Sequence, residues 1–480
     1  MVSLLSQYDK TAGCSQDGPG RRGSNNLNVN GMKSSICYPL SPVDYVLLAT
    51  HESLRRRGYC GLNVMLIAEA EGDLPFDELE AALRKLGDWY PALSANLRYS
   101  KLRRRPYWSV DSSRVRQDVV EYLPHRIEDE SSAWEPLTDA LNEPINLQHG
   151  PQLRVVHVQM GGGRQRLGLR WAHPFMDYEG GHRLLGALHD ILCGRTPSLS
   201  REPDAVFPPP FELGAIDSLA RAWQGRWLYA VYDSYRQPRI VKKPENTPKQ
   251  CRFILRTYNA EQRRSFESLA KTRISPGPLR YTRAMLVALA RTYLAMATER
   301  GRPREHYIFP MPLPLPRNGP RPGVHGNYVT IPWIVFSTAD LNDWASADTA
   351  ASRQLREYFE KRRDQATWYM YRAASRWPLG LTRLLTVHRH ARAAAAMTGY
   401  QLDDSVAHLG RARITNLTGA GPPDCHPGWL LGRTTFAETM SLSITYFEDY
   451  FDTPNVKEFF NRLEVELFRP DGSHERGHLS

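Results

Sequence analysis

The chain has 480 residues, 41% hydrophobic and 24% charged, which is ordinary for a soluble globular protein and leaves material for two or three domains with a real core. Its formal net charge of +11 favours anionic partners (nucleic acid, anionic lipid, phosphorylated cofactors or acidic proteins) without choosing among them. The six cysteines, Cys14, Cys37, Cys60, Cys193, Cys251 and Cys425, form no Cys-x-x-Cys pair, so zinc-ribbon and thioredoxin readings lack support and a reduced, cytoplasmic setting is expected.

The opening "MVSLLSQYDKTAGC" lacks a basic segment followed by a sustained apolar one, so no signal peptide is expected. No run of ~18 apolar residues occurs, so no membrane span is expected either. Residues 1–36 are polar and rich in Gly, Ser and Asn, the composition of a disordered leader. Folded pattern starts at "YPLSPVDYVLL". "NVMLIAEAEG" (63–72) predicts a strand. In the next segment Leu79, Leu83, Leu86 and Tyr90 recur on one helical face, and Pro91 stops the helix. "PQLRVVHVQM" (151–160) and "RLGLRW" (166–171) predict strands joined through Gly161, Gly162 and Gly163 as a hairpin. Leu167, Leu169 and Trp171 alternate onto one face of the second strand. "HRLLGALHDILC" (182–193) then has helical spacing.

Residues 197–212 read as a linker, followed by a helix rich in aromatics and Arg over about 213–236. The second half repeats the first in outline. "CRFILRTY" is a strand, and "NAEQRRSFESLAKT" a helix with Asn259 as N-cap. An apolar, buried helix follows in "YTRAMLVALARTYLAMATE". "EHYIFPMPLPLP" predicts a strand entering a proline-rich loop, "GNYVTIPWIVF" a strand, and 349–373 one long charged helix. "ARITNLTG" and "TMSLSITYF" (439–447) are strands, and Thr453 with Pro454 opens a last helix. The expectation is an α/β protein of two lobes, with a leader over 1–36, lobes over 37–196 and 249–480, and a connecting segment over 197–248.

The stretch "RWAHPFMDYEGG" (170–181) sets His173 four residues before Asp177. A neutral imidazole, of reference pKa ~6.5, suits a general base at neutral pH. Spacing alone decides nothing: "HRIED" repeats it at His125 and Asp129, and about one such match is expected by chance. Context separates the two. His173 falls in a strand–loop–helix connection, whereas His125 and Asp129 read as a solvated loop. Pro174 biases His173 toward extended backbone, with the helix expected only after Gly180 and Gly181. His182 and His189, on that helix, read as surface or packing residues.

The basic stretches "LRRRGY" (54–59), "KLRRRPYW" (101–108) and "RQPRIVKKP" (236–244) read as a solvated face, or as a site for CoA phosphates or an acidic carrier protein. Nucleic-acid binding is a weaker use, because no helix-turn-helix, RNP-like or zinc motif accompanies the charge.

Taken in order, these segments resemble the CoA-dependent acyltransferase superfamily over about residues 38–468. That superfamily includes chloramphenicol acetyltransferase, condensation domains of nonribosomal peptide synthetases, plant alcohol acyltransferases, wax ester synthases and polyketide-associated mycobacterial acyltransferases. "YPLSPVDYVLL" is similar to its opening, "EPINLQHGPQLRVVHV" to the approach to the motif strand, "LGLRWAHPFMDYEGGHRLLGAL" to its H-H-x-x-x-D-G segment, and "PLPRNGPRPGVHGNYVTIPW" to the second-lobe segment with "GN" before a strand. Three departures stand out. Ala172 replaces a first histidine, Tyr178 replaces the glycine after the aspartate, and the DFGWG motif of the plant branch is missing, with "PGWLLGR" only a faint echo.

The resemblance implies two chloramphenicol acetyltransferase-like lobes, each a mixed sheet flanked by helices, with an inter-lobe tunnel. It implies an acyltransferase moving an acyl group from a thioester to an alcohol or amine. His173 would be the general base, and Asp177 would turn away to hold the loop, usually through an arginine. Oxyanion donors would come from Asn327, Asn416, Thr418, Ser443 or Thr445. No cofactor or metal is expected to stay bound; the co-substrate would be acyl-CoA or an acyl-phosphopantetheine thioester on an acidic carrier protein. Two rivals follow: a condensation-like, amide-forming enzyme using carrier-bound substrates, or a non-catalytic binding or scaffold member, the reading that Ala172 and Tyr178 favour.

Overall fold

The computed structural model describes residues 36–100, 105–110, 119–197, 211, 213–235, 237, 240, 247–315, 324–386, 393–401, 406–421, 423 and 428–468. The leader 1–35, most of the linker, most of the basic stretch 236–244 and part of 101–108 lie outside the described residues.

β1 (Ile36–Pro39) leads into α1 (Pro42–Arg56), which starts with a reciprocal capping box between Ser41 and Asp44 and with proline at its first position. β2 (Asn63–Glu71) follows, then α2 (Phe76–Trp89), whose Leu79, Leu83 and Leu86 are buried as their spacing predicts. β3 (Asn96–Tyr99) and β4 (Pro106–Val110) join β1 in a small antiparallel sheet of order β1-β4-β3. β5 (Val120–Arg126), α3 (Glu135–Asn142), β6 (Leu153–Gln159), β7 (Arg164–Ala172), α4 (Tyr178–Leu192) and α5 (Ala215–Ser234) complete the first half. The β6–β7 hairpin turns through Gly161–Gly163, where Gly162 and Gly163 take φ of 71° and 72°, a region that favours glycine.

The central sheet has six strands. β5 is parallel to β6, and β6, β7 and β2 run antiparallel in turn. Leu167, Leu169 and Trp171 of β7 face α2 and α4, in one cluster with Leu79, Leu83, Leu184 and Leu188. On the opposite face a Cβ at Gly168 would lie 2.5 Å from Leu137 of α3, so this strand is sandwiched between helical layers.

The second half begins with β8 (Cys251–Tyr258), α6 (Ala260–Arg273) and the largely buried α7 (Arg280–Glu299). β9 (His306–Pro310) and β10 (Leu313–Pro314) are followed by β11 (Val329–Thr330) and β12 (Trp333–Ser337). β12 pairs with β9 and β11 with β10, so "GNYVTIPWIVF" yields two short strands rather than one. The expected single helix over 349–373 is also two: α8 (Trp344–Glu360) and α9 (Arg363–Ala374) are separated at Arg362, which takes φ of 53°. α10 (Leu379–Thr386), β13 (Ala396–Gln401), β14 (His408–Leu409), β15 (Ala412–Ala420), β16 (Trp429–Phe436), β17 (Thr439–Phe447) and α11 (Thr453–Phe468) complete the chain.

A four-stranded sheet of order β13-β16-β17-β8 forms the second lobe. β14 and β15 leave it and extend the first lobe's sheet as β14-β15-β2-β7-β6-β5, with β15 antiparallel to β2. β15 therefore belongs to one lobe by sequence and to the other by hydrogen bonding. It also touches the second sheet, where Ser441 and Ser443 of β17 donate to Asn416 Oδ1 and to the Gly419 carbonyl at 2.8 and 2.7 Å.

α5 crosses α9 at very short range, because a Cβ on Gly225 would come 2.4 Å from the Ala366 carbonyl oxygen. Backbone cannot swing aside as a side chain can. Gly225→Ala is therefore expected to destabilise the protein by ~1–3 kcal/mol, the usual cost of overpacking. A urea titration at constant pH checks this; an unchanged midpoint would show that the helices separate without cost.

Candidate active site

The β7 strand ends at Ala172, paired with Asn63 of β2. The ladder runs one residue further, because the His173 N–H donates to the Leu62 carbonyl at 2.8 Å. Pro174 then keeps His173 out of helical backbone, and the Phe175 N–H closes a tight turn onto the Ala172 carbonyl at 2.9 Å. Trp171 Nε1 reaches over this turn to the Met176 carbonyl at 2.7 Å. His173 is thus the first residue of a short loop fixed at both ends by the sheet.

α4 begins at Tyr178, earlier than expected. Asp177 is its N-cap, accepting from the Gly180 N–H at 3.0 Å. Gly180 and Gly181 do not delay the helix; they lie in its first turn, where side chains would collide. A Cβ on Gly180 would sit 2.2 Å from the Val324 carbonyl oxygen, and one on Gly181 would sit 2.3 Å from the Trp171 ring. The two glycines let α4 press against the strand on one side and against the second lobe's 324–328 loop on the other.

That loop closes over the His173–Asp177 turn along its length. Gly326 N–H donates to the Phe175 carbonyl at 3.1 Å, and Met176 and Gly326 form a parallel bridge. Tyr328 N–H approaches Asp177 Oδ2 at 3.4 Å. Asn327 Nδ2 donates to the His173 carbonyl at 2.8 Å and to Asp44 Oδ1 at 2.8 Å, and the Asn327 N–H donates to the same carboxylate oxygen at 2.9 Å. Asp44, from the first turn of α1, is the anchor of this arrangement. Burial pushes its carboxyl up to about 7, against the hydrogen bonds from Asn327 and Ser41 that pull it down.

Asn327, expected as an oxyanion donor, therefore spends both amide hydrogens on positioning. Asp177, for which the resemblance implied a loop-holding role through an arginine, meets the backbone amides of Gly180 and Tyr328. Asp44 was missed as a site residue. Its signal in the sequence, Ser-x-x-Asp before an apolar run, is that of a helix cap, and the structure gives it that role and a second one.

The His173 side chain is half-buried, and its Nδ1 is enclosed with no hydrogen bond of ordinary geometry to the protein. Burial lowers its pKa from the usual value, while the Asp177 charge, the nearby backbone of His173 and Met176, and Asn327 pull it up. The ring is held neutral, so one nitrogen keeps a lone pair. In the same turn Phe175, together with Tyr38 and Tyr90, packs against His325, the nearest pair with ring centroids 4.4 Å apart.

The remaining oxyanion candidates gather on β15 and β17, and most of their donors are occupied. Asn416 Nδ2 donates to Glu69 Oε1 at 2.9 Å and Thr257 Oγ1 at 3.1 Å. The Ser443 hydroxyl goes to the Gly419 carbonyl. Thr445 is buried on β17, opposite Phe253 and Leu430. Thr418 differs, because its hydroxyl is buried and without a partner in the protein. It lies next to Gly419, where a Cβ would come 2.1 Å from the Tyr178 hydroxyl. Tyr178, in the place of the family's glycine, therefore reaches from the start of α4 onto β15 and packs 6.3 Å from the Trp171 ring.

His125 lies in β5 rather than in a loop, and Asp129 accepts from Ser131 and Ser132, which hold its carboxyl well below the usual range. His182 is buried on α4, and His189 lies half-buried on the same helix. Among the described residues no three His, Cys, Asp or Glu side chains cluster to hold a metal, and no helix is long and apolar enough to cross a membrane.

No sequence family matches the chain, and no curated protein matches it by sequence. Solved structures do match it in fold. The first condensation domain of the calcium-dependent antibiotic synthetase superposes with a TM-score of 0.64 at 12% identity, over 91% of this chain and 97% of that one. The starter condensation domain of rhizomide synthetase, in complex with C8-CoA and Leu-SNAC, gives 0.61 at 13% identity, over 90% and 94%. The condensation domain of the Monacolin K polyketide synthase gives 0.57 at 12%, over 90% and 96%. The chain has the two-lobe, chloramphenicol acetyltransferase-like fold of condensation domains, as its sequence led us to expect.

Proposed function

We propose that this protein is an acyltransferase that moves an acyl group from a CoA or carrier-protein thioester to an alcohol or amine, with His173 as the general base. The observation that carries the reading is the setting of His173: a neutral, half-buried imidazole on a loop clamped by the sheet at the Leu62 carbonyl and by the second lobe at Asn327.

The step balances as follows. The free imidazole nitrogen takes the proton from the acceptor's O–H or N–H as its lone pair attacks the thioester carbonyl carbon. The carbonyl oxygen becomes an oxyanion, for which the unpaired Thr418 hydroxyl is the available donor. The intermediate collapses with cleavage of the C–S bond, and the thiolate takes the proton back from His173. The products are an ester or amide and a free thiol. A pantetheine thioester supplies the leaving group, and no metal enters the step.

The test is thiol release from a panel of acyl-CoAs of two to sixteen carbons, and from carrier-bound acyl groups, with mixed alcohols and amines. Turnover on the carrier-bound donors alone, with an amine, makes the enzyme condensation-like. The absence of turnover on every donor supports instead the binding-member reading, which the packing of Tyr178 onto β15 favours.

The pH dependence has a definite sign. The base must be neutral, and burial holds His173 below its ordinary 6.5. The acid limb of kcat/KM is therefore expected to fall off only below pH 6.5, leaving full activity at neutrality. A limb centred above 6.5 would point to a different base.

A further inference from the structure

We propose that the outward face of α5 binds in the plane of an anionic lipid surface. The helix buries Gly225, Leu228 and Tyr229, and the Tyr229 hydroxyl bonds that of Tyr371 on α9 at 2.5 Å. A surface helix fixed in this way should present polar residues to water. α5 does the reverse. Ile216, Leu219, Trp223 and Trp227 are 83%, 67%, 77% and 62% exposed, and the exposed Ala220 and Ala230 fill the same stripe. At 100° per residue these six positions share one face, and no polar residue interrupts it between Ile216 and Ala230.

Arg226 lies on one flank of the stripe and Asp217 on the other, while Arg221, further round toward α9, bonds the Lys361 carbonyl and brings the turn Lys361-Arg362-Arg363 alongside, with Glu357 between Lys361 and Arg363. α9 runs on from this turn to a second patch, where Trp377, Leu381 and Leu384 are exposed beside Arg376 and Arg383. Tryptophan with apolar side chains on one exposed face, beside a basic turn and a second basic patch, is the pattern of a helix seated at a lipid interface.

A second copy of the chain fits less well. A single stripe of about 30 Å by 10 Å covers roughly 300 Å², far below the ~800 Å² per partner of a stable interface. Each copy carries +11, so self-association works against like charge, whereas an anionic bilayer works with it. The proposal is independent of the acyl-transfer reading, and its test reads no activity.

The full chain is sedimented with vesicles of pure phosphatidylcholine and of phosphatidylcholine with one quarter phosphatidylglycerol, alongside the double variant Trp223→Glu/Trp227→Glu. Both positions are exposed, so the variant should melt as wild type does. We expect at least ~10-fold stronger partitioning to the anionic vesicles, and at least ~10-fold loss in the variant. Three results would overturn the proposal: no binding to either vesicle, equal binding by the variant (net charge acting without the stripe), or a dimer by sedimentation velocity that the variant dissolves while vesicles are ignored.

Discussion

His173→Ala is expected to lower thiol release by ~100-fold or more, with the protein still folded. The fold should survive because the loop is held through main-chain atoms. The His173 N–H to Leu62 and the Asn327 amide to the His173 carbonyl both remain when the ring is removed. The ring's Nδ1 makes no hydrogen bond of ordinary geometry to the protein. Removing the imidazole therefore subtracts the base and little else. The check pairs the rate with a thermal melt. A matched melt with a lost rate assigns the proton transfer to His173. A variant that turns over like wild type would sink the assignment, and a variant that unfolds would mean that the ring carries packing the contacts do not display.

The residual rate is informative too. The candidate oxyanion donor lies on β15, away from the histidine loop in sequence, and the substitution leaves it in place. Transfer in the variant should therefore stay above the uncatalysed reaction. Thr418→Val removes the unpaired hydroxyl while nearly conserving volume, and it tests that donor separately.

Local periodicity made much of this architecture legible. Leu79, Leu83 and Leu86 recur on one face of a helix, Leu167, Leu169 and Trp171 alternate along a strand, and all six are buried on the same side of the central sheet. Cap chemistry did the same for Asn259, whose capping box is present. What local pattern cannot carry is partnership across the chain. β15 reads as an ordinary second-lobe strand, yet it pairs with β2, aligning Ile414 with Ala70 and Ala420 with Met65. The short strands β1, β3 and β4 have too few residues to show a period. The glycines after Asp177 were expected to precede the helix. Their reason for being small lies in Val324 and Trp171, which only the folded chain brings near. Asn327, Asn416 and Ser443 were singled out as candidate oxyanion donors, and all three are buried with their donors engaged elsewhere in the fold. Which group each one serves is decided by residues far away in sequence.

Asp44 is the extreme case, lying 283 residues from the Asn327 it holds, and its loss should have the largest effect on stability. Asp44→Ala removes the acceptor for three buried donors, the Ser41 N–H and the two from Asn327. Orphaned donors cost roughly 1–3 kcal/mol each, so a loss of roughly 3–9 kcal/mol is expected in chemical denaturation. The loop over His173 loses its anchor as well. At a temperature where the variant is still folded, kcat should fall ~10–100-fold through misplacement of the base, with a smaller change in KM. Asp44→Asn keeps the shape and isolates the titration. The folded carboxyl holds its proton up to about 7, whereas an unfolded one releases it near 3.8. Between those values the native state binds more protons than the unfolded state, so Asp44's contribution falls as pH rises through this window and is level outside it. The stability of wild type relative to Asp44→Asn should therefore decline from about pH 4 to about pH 7, by on the order of 4 kcal/mol at most. A flat difference would mean that Asp44 is ionised throughout and that its three hydrogen bonds outweigh its burial. In that case the anchor would be a permanent charge, and the activity loss in Asp44→Ala should exceed that in Asp44→Asn at every pH.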